Sequence, residues 1–273
     1  LLSEIGFRAM TVEAIAALKA EGIKALPTRI SPVGLSVHGR PPLATLQCFK
    51  DGLIEVQDEG SQLVALLVDA KPGQRVVDFC AGAGGKTLAI AAQMKNKGKI
   101  FACDVLQGRV DRAAVRFNRA GIFNVERKGL SSERDPWVKR HAGDFDRVLV
   151  DAPCTGTGTW RRNPDAKWKL SPQDLEELTA LQRRILDSAC RLVKPGGRLV
   201  YATCSLLAEE NEAQVAHFLS HHEEFKLLPL PYVWFDAIGG TPPEEGAMLS
   251  LTPARHGTDG FFAAILERQK AAA

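Results

Sequence analysis

The sequence predicts an α/β fold: a mostly parallel, doubly wound sheet with a late antiparallel strand, preceded by a small α+β region. Three observations carry this. From about residue 51 onward, short apolar runs alternate with amphipathic stretches, the pattern of parallel strands joined by right-handed helical crossovers. Three of those runs end in an acid, at Asp78, Asp104 and Asp151. The first acid opens a glycine-rich turn, Asp78-Phe79-Cys80-Ala81-Gly82-Ala83-Gly84-Gly85-Lys86-Thr87. In open sheets of this kind the ligand sits beyond the carboxyl ends of the strands.

Residues 11–21 read as an amphipathic helix that Gly22 stops. Pro27, Pro32, Gly34, Gly39, Pro41 and Pro42 then exclude a long helix and leave room for short strands at 34–38 and 43–47. Residues 1–50 are therefore expected to form a small α+β subdomain and 51–270 the main domain. Within the latter, helices are expected at 59–70, 87–94, 107–120, 174–193 and 209–221. Strands are expected at 75–79, 99–104, 124–128, 147–151, 198–202 and 260–266. The helix at 174–193 is the clearest, with Leu175, Leu178, Leu181, Ile185, Ala189 and Leu192 on one face. Lys194-Pro195-Gly196-Gly197 is expected to end it.

Composition narrows the class. Of 273 residues, 45% are hydrophobic, too many for a disordered chain. No apolar run reaches the roughly 18 residues of a membrane span. The cysteines, Cys48, Cys80, Cys103, Cys154, Cys190 and Cys204, show neither CxxC nor zinc-ligand spacing, so no metal site, free thiols and a reducing cytoplasmic setting are expected. His217, His221 and His222 read as surface residues. A net charge of +3 permits a nucleic-acid partner without demanding one. A monomer is expected.

The glycine turn admits three ligand readings besides a plain tight turn. A phosphate-binding P-loop would need a glycine where Cys80 stands, and a dinucleotide loop would need one at Thr87. A loop for a nucleoside such as S-adenosyl-L-methionine needs only the turn and an acid for the ribose hydroxyls. Asp104 stands eighteen residues after Lys86 for that purpose. Two cysteines follow the next two strands: Cys154 in Asp151-Ala152-Pro153-Cys154 and Cys204 in Tyr201-Ala202-Thr203-Cys204-Ser205. One cysteine is usually a small buried hydrophobe. Two at adjacent strand ends beside a carboxylate suggest a redox or a nucleophile pair. Carbon 5 of a pyrimidine becomes nucleophilic once a thiolate adds at carbon 6, and a donor at ring nitrogen 3 stabilises the developing charge.

These motifs resemble the RsmB/Fmu/Sun family of RNA (cytosine-5)-methyltransferases. The resemblance also rests on residues 56–62 (Val-Gln-Asp-Glu-Gly-Ser-Gln), Arg161-Arg162-Asn163-Pro164-Asp165, Glu209-Glu210-Asn211 and Asp259-Gly260-Phe261-Phe262. It runs from about residue 11 to 267. It implies a Rossmann-like class I methyltransferase fold, with Cys204 as nucleophile, Cys154 in product release and Asp151 at the cytosine ring near the methyl donor. Cofactor binding is implied at Cys80, Ala81, Gly82, Ala83, Gly84, Gly85, Lys86 and Asp104. The partner implied is RNA, ribosomal ahead of transfer RNA.

The sequence departs from the family pattern Cys-Ala-Ala-Pro-Gly-Gly-Lys at Gly82 and at Ala83, where proline is usual. The acid expected after the third strand for the adenine amino group is absent, and Ser131 stands there by spacing. Bacterial rRNA-type members often carry an N-terminal helical RNA-binding domain, which is not found within these residues, either by truncation or by subfamily. Arg161, Arg162, Lys167 and Lys169 interleave with Trp160 and Trp168. Of these, Arg161, Arg162, Lys167 and Trp168 are the candidates for phosphate and base contacts, unless the tryptophans pack on the core. Since a duplexed base cannot reach a thiol, the target must be single-stranded or flipped out. Two other functions stay open: a non-catalytic RNA-binding member of the fold, and a P-loop nucleotide hydrolase.

Overall fold

The computed structural model describes residues 2–270. The N-terminal region holds α1 (Leu2–Ala20), β1 (Ala25–Pro27), β2 (Leu35–Val37) and α2 (Gln47–Lys50). Leu18, Ala25, Leu46 and Cys48 form its own apolar cluster. The strand expected at 43–47 is not there. Pro42 starts a 3-10 turn over Leu43–Thr45 that runs into α2, and Thr45 Oγ1 closes it by donating to the Pro42 carbonyl at 2.8 Å. The partner of β2 is β1 instead, antiparallel. Three residues ending in Pro27 are too short for an alternating pattern to announce.

The main region runs α3 (Glu59–Leu67), β3 (Arg75–Asp78), α4 (Gly85–Gln93), β4 (Lys99–Asp104), α5 (Gln107–Arg119), β5 (Val125–Gly129), α6 (Pro136–Arg140) and β6 (Phe145–Asp151). It continues with α7 (Ala166–Lys169), α8 (Pro172–Ala189), β7 (Val193–Thr203), α9 (Glu212–His221), β8 (Phe225–Leu227), α10 (Leu230–Ala237), β9 (Leu249–Leu251), α11 (Pro253–His256) and β10 (Phe261–Arg268). Its eight strands form one sheet in the order β5-β4-β3-β6-β7-β10-β8, with β9 on β10. β5 to β7 are parallel; β10 pairs antiparallel with β7, β8 and β9.

Alternate residues of each strand serve opposite faces of the sheet. Val76 and Val200 pack with Leu63, Ile90 and Trp234 from α3, α4 and α10. Their neighbours Val77 and Tyr201 pack with Trp137, Ile185 and Phe218 from α6, α8 and α9. The sheet is thus covered on both sides, which explains why its strands read as continuous apolar runs.

Several boundaries differ from expectation, two of them with a clear local cause. α8 begins at Pro172 because Ser171 and Asp174 form a capping box. The Lys194–Gly197 segment lies inside β7 and does not stop a helix. There Gly196 sits at a φ of 79°, and the register against β6 shifts between Phe145 and Arg147, so the glycines make a bulge. Among the described residues, no helix is long and apolar enough to cross a membrane.

Candidate active site

The parallel ladder brings the sequence motifs to one edge. β6 and β7 are neighbours with Asp151 opposite Ala202, so the residues just past them meet. The Cys154 and Cys204 sulfurs lie 3.4 Å apart. β3 lies on the other side of β6 and feeds the glycine turn into α4, placing the Lys86 ammonium 2.6 Å from Asp151 Oδ2 and 5.0 Å above the Phe261 ring.

The two thiols are not equivalent. The hydrogen bond from Cys154 holds Cys204 below the ordinary thiol range, against burial and the Asp151 charge and with help from Lys86. The same bond, with burial, pushes Cys154 well above that range. Of the two, Cys204 is therefore the more readily ionised, and Cys154 the better placed to donate. Burial opposes a charge on Lys86, but Asp151 outweighs burial and raises its pKa. Burial also pushes the Cys80 thiol well up.

The loops carrying the two cysteines are held by groups that sequence reasoning missed. Buried Glu210 accepts from the Thr155 amide and from Gln182 Nε2, each at 2.9 Å. The Asn211 amide donates to the Ser205 carbonyl at 3.0 Å. Their motif was visible in the sequence, but not what it held. The Gly158 amide donates to the Cys204 carbonyl at 2.9 Å, and Gly260 donates to the Gly158 carbonyl at 2.8 Å. A Cβ on Gly158 would stand 2.4 Å from the Gly260 carbonyl oxygen. Gly158→Ala is accordingly expected to lower stability by about 2 kcal/mol, measured by urea unfolding, and to displace the Cys204 loop.

A cavity of about 690 Å³ opens beside this cluster, lined among others by Asp78, Cys80, Gly82, Lys86, Asp104 and Asp151. Asp104 cross-links the turn: its carboxylate accepts from the Gly82 and Leu106 amides at 2.9 and 2.8 Å. Burial pushes the Asp78 carboxyl up to about 7, against a hydrogen bond from Thr87. Its Oδ1 has no partner among the described residues.

Several expected site residues are placed otherwise. Gly84 does not line the cavity; a Cβ there would meet Phe117 and Ala113 at 2.7 and 2.8 Å, so it is a packing glycine. Ser131 does not line it either, since its amide and hydroxyl both donate to Asp135; Leu130 and Glu133 line that wall. Arg161 and Arg162 both pair with fully buried Asp259. The Asp259 amide in turn donates to Asp58, the N-cap of α3. Three motifs thus close on one ion cluster, and the basic loop is partly neutralised from within. Lys167 and Trp168 stay outside: Trp168 is 80% exposed, with the Lys167 ammonium 4.5 Å from its ring. His217, His221 and His222 all line a second cavity with Asp187 and Cys190; His221 is exposed there, His217 and His222 half-buried. Among the described residues, no three or more His, Cys, Asp and Glu side chains are grouped so as to hold a metal ion.

This sheet order, with the crevice at the ends of β3, β4 and β6, is the class I methyltransferase fold. The family description "16S rRNA methyltransferase RsmB/F" matches residues 65–267. The chain belongs to that family. It is 38% identical to the probable ribosomal RNA small subunit methyltransferase B of Synechocystis over 87% of its length and 53% of that protein. The crystal structure of PH0851 is 40% identical with a TM-score of 0.87, covering 96% of this chain and 58% of that one. The structure of NSun6 from Pyrococcus horikoshii with SFG is 28% identical with a TM-score of 0.73, covering 87% of this chain and 60% of that one. The chain spans about half the length of the curated relatives it matches.

Proposed function

We propose that this chain transfers a methyl group from S-adenosyl-L-methionine to carbon 5 of cytosine in RNA, with small-subunit ribosomal RNA as the substrate. The observation that carries this reading is the polarised thiol pair, 3.4 Å apart beside the Lys86–Asp151 pair. The relatives' names support a ribosomal RNA substrate.

The cavity residues fit the cofactor. The unpartnered Asp78 oxygen can accept from an ammonium group, the glycine turn lets the backbone approach closely, and each Asp104 oxygen retains a lone pair for a ribose hydroxyl. When bound, the cofactor supplies a methyl group on a sulfonium. The chain's own residues do the rest. The Cys204 thiolate adds to carbon 6 of the ring, forming a carbon–sulfur bond and moving electron density to carbon 5. Lys86 and Asp151 face the ring edge, where the ammonium stabilises the charge that develops. After transfer, carbon 5 loses its proton to solvent water and the carbon–sulfur bond breaks, its electron pair returning to Cys204 as the thiolate. The Cys154 S–H donates to the departing sulfur and makes Cys204 the better leaving group. Residues 1–50, Lys167 and Trp168 would contact the RNA, with Arg161 and Arg162 secondary to them.

A nucleotide hydrolase would need a phosphate-binding glycine where Cys80 stands. A purely RNA-binding role leaves the polarised thiols without a use. The test is methyl-labelled S-adenosyl-L-methionine with unmodified small-subunit rRNA, followed by digestion to nucleosides. Label in 5-methylcytidine is the expected result; label in another nucleoside, or none, sinks the reading.

A further inference from the structure

Arg116 has no part in the chemistry above, yet it reaches the glycine turn. From α5, its Nη1 donates to the Ala83 carbonyl at 2.9 Å and its Nε to the Glu55 carboxylate at 3.2 Å. Glu55 also pairs with Arg119, whose guanidinium lies 3.9 Å from the Phe49 ring centre. Phe49 packs against the apolar cluster of the N-terminal region. A continuous chain of contacts therefore runs from that region through Glu55 and Arg116 to the cofactor turn.

The turn needs such a hold. Three of the four residues from 82 to 85 are glycine, and glycine loses the most backbone freedom on ordering. Gly82 and Gly84 sit at φ of 53° and 78°, and open space surrounds the Cβ position of Gly82. Ala83 lacks the ring by which a proline fixes its own φ. Here the Ala83 peptide is held from α5 instead. Both charges of the brace are half-buried, with Arg116 and Glu55 side chains 24% and 20% exposed.

We propose that Arg116, held by Glu55, is a positioning residue that braces the turn at Ala83, and so couples the seating of the N-terminal region to cofactor affinity. The proposal rests on the cofactor reading above. A turn already in its bound shape spares the ligand the ordering cost.

The experiment compares wild type, Arg116→Ala, Ala83→Pro and the Arg116→Ala/Ala83→Pro double variant. Titration calorimetry with S-adenosyl-L-methionine gives affinity. Hydrogen exchange of the ligand-free protein reads the Gly82 and Gly84 amides, which donate to Asp104 and to the Ala81 carbonyl. At 83 φ is not positive and the amide makes no hydrogen bond among the described residues, so a proline there breaks no hydrogen bond.

Arg116→Ala is expected to speed exchange at both amides and weaken binding by about tenfold. Adding Ala83→Pro should restore both to within about twofold. Glu55→Gln should loosen the same amides. Arg116→Gln replaces Arg116→Ala if circular dichroism shows that variant unfolded. Unchanged exchange in the Arg116 variant, or a loss that proline does not restore, overturns the brace. If wild type binds no cofactor while Arg116→Ala still loosens the turn and proline tightens it, the brace stands and the cofactor reading fails.

Discussion

Cys204→Ala is expected to abolish methyl transfer, lowering the rate by at least about three orders of magnitude, while cofactor affinity stays within about twofold of wild type. Cys204 does not line the cavity, so its sulfur can be removed without touching the cofactor walls. Cys154→Ala should behave differently. It leaves the nucleophile in place and removes the S–H that lies 3.4 Å from it, so addition proceeds and release is slowed. A protein–RNA adduct surviving denaturing electrophoresis should accumulate with Cys154→Ala and be absent from the Cys204→Ala/Cys154→Ala double variant. If the two single variants exchanged phenotypes, the assignment of the cysteines would be reversed. Full activity of Cys204→Ala would remove the covalent mechanism altogether.

Lys86→Met is expected to lower the rate at pH 7 by about a hundredfold and to move the acid limb of the pH–rate profile upward. The sign follows from the neighbours of Cys204. The thiolate is the reactive form, and Lys86 is among the groups that hold its pKa down. Without the ammonium the thiolate forms only at higher pH, so activity should recover as pH rises. Asp151→Asn makes the opposite test, because Asp151 pushes the Cys204 pKa up. Its acid limb should move downward even though the rate falls. Two variants of one ion pair moving the limb in opposite directions would identify the titrating group as Cys204. A limb unmoved by either would assign it to some other residue.

Much of this site was legible before folding. The glycine turn, the strand-end acids and the paired cysteines lie in short segments whose structure follows from local pattern. The role of Arg161 and Arg162 was not legible: their basic charge reads as a phosphate contact, but buried Asp259 takes both. Ser131 was placed by spacing after a strand, and the N-cap Asp135 takes its hydroxyl instead. The strand at 43–47 failed for the converse reason, because Pro42 starts a turn there that overrides a weak apolar pattern.

The sequence by itself determined the alternation of strands and helices, the position of the crevice and the residue types within it. Periodicity, glycine punctuation and strand-end acids act over one or two turns of chain, so they can be read without a partner. Only the tertiary structure decided which groups meet. Cys154 meets Cys204 across 50 residues, Lys86 meets Asp151 across 65 and Arg161 meets Asp259 across 98. Those meetings depend on strand order and register, which arise from packing both faces of the sheet at once. They polarise the thiols, because a hydrogen bond and a neighbouring charge shift a pKa only at contact distance.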